Sequence, residues 1–132
     1  MGDFRYVRYQ AVEPNANGNF TGIFGLFNGL ARRGQLTVEQ EAFRRTNNAW
    51  YDAAYADPSK VDPTVYDRTI NPGAAAWFKV AATHLLDRVP GYLAILDAHG
   101  VEWRRLESDD PGRVIYEDAD QVVVVPRSPS HG

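Results

Sequence analysis

Residues 101–125 read VEWRRLESDDPGRVIYEDADQVVVV, and the fold class turns on this stretch. Three runs of strand-forming residues, Val101 to Glu107, Arg113 to Glu117 and Gln121 to Val125, are separated by short turn-like connections. Asp109-Asp110-Pro111-Gly112 and Asp118-Ala119-Asp120 supply residues that favour tight reversals, so the spacing predicts a three-stranded antiparallel meander. Val122 to Val125 shows no polar alternation, the pattern of a strand covered on both faces.

At the other end, Phe4 to Val12 alternates in a way that suits a strand, and Glu13 to Asn19 breaks it with turn formers. Helical periodicity follows. Thr21 is placed to cap a helix running to about Arg33, with Ile23, Phe24, Phe27, Leu30 and Ala31 at helical spacing and Gly34 as its stop. Thr37-Val38-Glu39-Gln40 is a capping box for a second helix to about Ala56, with Phe43, Asn47, Trp50 and Ala54 on one face. Residues 57–72 carry three prolines and read as an irregular connection, either a lid or a loop packed by Val61, Val65 and Tyr66. Asn71-Pro72 reads as the start of a third helix to Arg88 through Trp77, Phe78, Val80, Leu85 and Leu86. A short fourth helix spans Gly91 to His99.

Helices in a block followed by strands in a block indicate an α+β domain. The expected architecture is a four-stranded, mainly antiparallel sheet, made of the N-terminal strand plus the C-terminal meander, with about four helices between. Residues 1–126 form one compact domain and 127–132 a loose tail. So few helices leave one sheet face to be covered by something else, and a second copy of the chain is the expected cover.

Composition narrows the function classes. The 132 residues hold 14 basic and 17 acidic side chains, a formal net charge of -3, so no basic field points to nucleic acid. With no cysteine, thiol catalysis, disulfides and thiolate metal sites are excluded. The N-terminus lacks the apolar core of a secretory signal, and Phe20 to Ala31 is too short to span a membrane. A cytoplasmic location is expected. Neither a phosphate-binding glycine loop nor a dinucleotide fingerprint occurs, and Gly22, Gly25 and Gly29 read as packing positions within a helix. His84, His99 and His131 have no ligand spacing, so neither a metal nor a cofactor is expected.

Four groups of residues merit weighing as a site. Lys79 is the sole ionisable residue between Gly73 and Ala82 and lies beside Trp77. Its ordinary role is to snorkel from a nearly buried helix; its functional role is to hold an anion or act as a base. His84, seven residues after Trp77, is either a helix-end histidine or a general acid or base, with Asp52 as a second proton carrier. The loop containing Asn17 and Asn19, ahead of a helix N-terminus, is a solvated connection or an anion cradle. Asn47, Asn48, Trp50, Tyr51, Asp52 and Tyr55 interleave rings with polar groups and suit helix packing, a polar ring ligand or a protein partner. The carboxylates of Glu117, Asp118 and Asp120 around one tight turn read as a solvated hairpin.

Two functional expectations follow. The first is a small interaction or assembly module of unknown biological role, homodimeric through its uncovered sheet face. The second is an enzyme or ligand-binding protein acting on a polar, anionic small molecule through Lys79, His84 and the 47–55 cluster.

Overall fold

A computed structural model describes residues 4–127. Among these the order is β1 (Tyr6–Ala11), α1 (Ile23–Arg32), α2 (Val38–Ala54), α3 (Pro58–Val61), β2 (Ala75–Lys79), α4 (Thr83–Leu86), α5 (Val89–Ala98), β3 (Trp103–Ser108), β4 (Arg113–Glu117) and β5 (Gln121–Val125). The class is α+β. The sheet has five strands, not four, hydrogen-bonded in the order β3-β1-β2-β5-β4. The β1–β2, β2–β5 and β4–β5 pairings are antiparallel. The expected tail from residue 128 onward lies outside the described residues, whereas Arg127 is held by Asp110 through two 2.7 Å hydrogen bonds.

Expectations beyond the strand count also need correction. The proposed helix from Asn71 to Arg88 is a strand followed by a single helical turn. Asn71-Pro72-Gly73-Ala74 is a turn, with the Ala74 amide donating to the Asn71 carbonyl and Gly73 at φ +75°. Proline in the second position and glycine at positive φ in the third are what a type II turn requires. The apolar run behind it pairs on both sides: Val7 faces Phe78 from β1, while Val122, Val123 and Val124 face Trp77, Ala76 and Ala75 from β5. A short continuous apolar run suits an interior strand as well as a helix, and the two ladders decide for the strand.

The second correction concerns the meander. Only β4 and β5 form a hairpin; β3 stands at the opposite end of the order, beside β1. Asp109-Asp110-Pro111-Gly112 is therefore a traverse, pinned by the Arg5 amide on Asp109 Oδ1 at 3.0 Å and by Arg127 on Asp110. Nor is a sheet face left bare along β5, where successive valines point to opposite faces and every residue is buried. The uncovered face that called for a second copy is absent there.

The described residues pack as two compact units, one of residues 4–8, 57–82 and 107–127, the other of residues 9–56 and 83–106. The first has a core of Val7, Val65, Trp77, Phe78 and Val122 to Val125. Residues 57–72 are built here as a staircase of turns. Asp57, Asp62 and Asp67 each accept the amide two residues on, and Ser59 and Thr64 add hydroxyl donors to the first two. Val65 anchors this segment in the core, while Val61 and Tyr66 are exposed.

The second unit is a helical core of Ile23, Phe27, Leu30, Tyr51, Leu85, Val89, Tyr92 and Leu96. Helix α1 has Gly22, not Thr21, as its N-cap and therefore no side-chain cap, and the Thr21 carbonyl accepts the Ala11 amide at 2.8 Å. The capping box of α2 is formed as expected: Thr37 Oγ1 accepts the Gln40 amide and Gln40 Oε1 accepts the Thr37 amide. Thr37→Ala is expected to cost about 1 kcal/mol, measured by urea unfolding, with Thr37→Asp retaining most of the stability. Among the described residues no helix is long and apolar enough to cross a membrane.

Candidate functional site

Lys79 and Trp77 lie in the first unit, on β2. Two residues apart on a strand, they share one sheet face. Trp77 is buried in the core. The Lys79 ammonium lies 2.6 Å from Glu117 Oε2 at the end of β4, and its backbone amide donates to Asp120. The nearly buried helix from which Lys79 was expected to snorkel does not exist, because the segment is extended. Lys79 ties β2 to the β4–β5 hairpin.

At the acidic turn of that hairpin, Asp118 is the organising carboxylate. Asp118 Oδ1 accepts the amides of Asp120 and Gln121, and Oδ2 accepts the Tyr116 hydroxyl and the Gln121 side-chain amide. Burial works to raise the Asp118 pKa, but the donors around the carboxylate outweigh it and hold it below the ordinary value. A lowered folded-state pKa adds stability that is complete above the unfolded-state value of about 3.9 and disappears as pH falls through the folded value. Asp118→Asn should therefore lower stability at neutral pH. The gap from wild type should narrow on acidification below about pH 4, as read in paired urea titrations.

The remaining candidates belong to the second unit. Asn17 and Asn19 sit in a loop closed by Asn15, whose Oδ1 accepts both their amides and whose own amide donates to the Asn19 carbonyl. Asp52 is exposed on α2. Around α2 the structure joins Asn47, Asn48, Trp50, Tyr51 and His84, and adds three residues that the sequence reading left out: Asn28, Arg88 and Tyr92.

The joining is specific. Asn48 takes a hydrogen bond from the Tyr92 hydroxyl at 2.8 Å and donates to Asn28 Oδ1 at 3.3 Å. Asn47 donates to the Phe43 carbonyl and accepts from Arg88 Nη1 at 2.9 Å. These contacts explain two asparagines in mid-helix, since each carries hydrogen bonds between helices that an apolar residue could not supply. Tyr51 donates to the Leu85 carbonyl at 2.6 Å, closing α2 onto α4. Both Tyr51 and Tyr92 have phenol pKa values pushed well above the ordinary one by burial, with nearby Arg88 pulling the other way. Neither hydroxyl is suited to losing its proton near neutral pH.

On the outer side of this network the Arg88 guanidinium lies over the Trp50 ring, 4.0 Å from its centroid, a cation–π stack. His84 presents its ring to the same indole at 6.3 Å. Arg88 takes part in no ion pair among the described residues. Its signal in the sequence is faint: an arginine two residues before Pro90, at what becomes the N-cap of α5. The geometry can position an anion or a planar group, but it holds no assembled set of nucleophile, base and oxyanion donors.

Comparisons with protein-family models, with curated proteins and with solved structures find no match for this chain.

Proposed function

We propose that this protein is a small interaction module that works by self-association, using the ends of its sheet where a face had been expected. The observation that carries this reading is the strand order. Among the described residues the two strands that close it, β3 and β4, each have a neighbour on one side, and an outer strand offers backbone amides and carbonyls to another chain. The candidate site residues support it from the other direction: Lys79, weighed as a base or anion holder, is engaged by Glu117, and Tyr51, Asn47 and Asn48, weighed as ligand contacts, are engaged in holding helices together. Sedimentation velocity over a range from low to high micromolar is the test. Self-association gives a weight-average mass that climbs with concentration toward twice that of one chain; a constant single-chain mass throughout refutes it.

A second reading rests on Arg88. A half-buried guanidinium stacked on Trp50, beside His84 and outside any ion pair among the described residues, favours a small carboxylate or phosphate. Inorganic phosphate and acetate should then raise the melting temperature of the wild type but not of Arg88→Gln. Equal shifts in both proteins would remove this reading.

A further inference from the structure

The sheet has two outer strands, and their side-chain patterns differ in what they permit. On β4, Arg113 and Glu117 look like a self-complementary pair, but the register excludes this. Arg113 stands across from Val125 and Glu117 across from Val122, with an irregularity between Val114 and Tyr116. Val122 and Val125, three apart on one strand, point to opposite faces, so Arg113 and Glu117 do too. A second β4 laid antiparallel beside the first would not bring these charges together. The irregularity and the charges blunt this edge.

Strand β3 keeps its alternation. Trp103 packs its ring 6.1 Å from that of Tyr9, and Arg105 Nε donates to the Tyr9 hydroxyl at 3.1 Å, which places both side chains on one face. Glu107 continues that row, and Arg104 and Leu106 take the other. Arg104, Arg105 and Glu107 are all exposed. From this pattern we infer that the outer edge of β3 is the seam for a second copy of this chain, paired antiparallel with Leu106 on the two-fold axis. The inference rests on the self-association proposed above and adds its surface and register.

The register follows from two conditions. Residues facing each other across an antiparallel pair must point to the same face, and a two-fold axis pairs residue i with residue j and j with i. Centring on Arg104 sets two Arg104 side chains against each other and Trp103 against Arg105. Centring on Arg105 opposes two arginines, and centring on Glu107 opposes two glutamates. Centring on Leu106 sets Arg105 of each copy against Glu107 of the other, Arg104 against Ser108, and the two leucines together. Among registers whose facing pairs all lie within Trp103–Ser108, that is the arrangement in which no like charges face each other and opposite charges meet twice. An edge guarded by one sign of charge would repel a second copy; this one carries both signs, placed so that pairing about Leu106 brings them together.

Charge swaps test the seam. Arg105→Glu and Glu107→Arg, each alone, set like charges across the axis twice, and should weaken dimerisation about tenfold or more. An equimolar mixture of the two variants should restore it, because each chain then carries at 105 and 107 the charges that complement the other. Both substitutions are at exposed positions, and far-ultraviolet circular dichroism on each variant separates loss of pairing from loss of folding. If wild type never exceeds the single-chain mass, self-association itself fails. If wild type dimerises but the folded single variants dimerise equally well, the dimer uses another surface and the β3 seam is refuted. Single variants that are folded and monomeric, but whose mixture stays monomeric, also refute this register. Should either variant fail to fold, the double variant Arg105→Glu/Glu107→Arg decides: the seam requires it to dimerise as wild type does.

Discussion

Tyr92→Ala is expected to be among the most destabilising substitutions in the chain, by about 3–5 kcal/mol. Tyr92 is fully buried, and its ring meets Phe24, Phe27 and Phe43 edge-on at centroid distances of 5.1, 4.8 and 5.0 Å. Removing the ring leaves a cavity bounded by other rings that cannot collapse into it, and strands Asn48 Oδ1 at the same time. Tyr92→Phe separates the two contributions. It preserves the edge-to-face contacts and deletes only the 2.8 Å hydrogen bond to Asn48, for an expected loss of about 1–2 kcal/mol. Chemical denaturation of the two variants side by side gives the comparison. Equal losses would mean that the hydrogen bond, and not the ring packing, organises this core. A loss under about 1 kcal/mol for alanine would remove Tyr92 from its centre.

Gly112→Ala is the second large effect. Gly112 adopts φ +156°, and a Cβ added there would lie 2.5 Å from the Val125 carbonyl oxygen and 3.3 Å from the Val124 side chain. The carbonyl belongs to the interior strand β5 and cannot rotate away as a flexible side chain could. Overpacking of this kind costs about 1–3 kcal/mol, and the backbone must also shift at the point where β4 begins. The expected sign is a clear loss, larger still for Gly112→Val. Amide exchange should locate the damage at the β4–β5 hairpin. A neutral Gly112→Ala would show that the chain before β4 is free to move off β5.

Much of the fold was legible where local signals and pairing agree. Strands β4 and β5 occupy the residues their turn spacing indicates, and Thr37 and Gln40 mark the start of α2 by chemistry that tertiary structure leaves unchanged. What was not legible depends on partners distant in sequence. The run from Ala75 to Lys79 carries no local feature separating strand from helix, and its identity comes from β1 on one side and β5 on the other. The same limit hid the place of β3, since a turn-like connection does not say whether the next strand lies adjacent or several places along the sheet.

The candidate site shows the same division. Asn47 and Asn48 stood out because asparagine fits poorly in a helix, and they do carry an unusual burden, but the Tyr92 and Arg88 that they serve lie over forty residues onward. Lys79 stood out as a lone charge in an apolar run. Its counter-charge, Glu117, comes from a strand whose approach only the sheet order reveals.

Amide hydrogen exchange on β3 as a function of protein concentration tests the central claim most directly. If two copies join along this strand, exchange at residues 104–108 slows as concentration rises through the range where the mass doubles, while β4 is unaffected. Exchange at β3 that is indifferent to concentration while the mass doubles, or protection that appears at β4 in its place, would contradict pairing about Leu106.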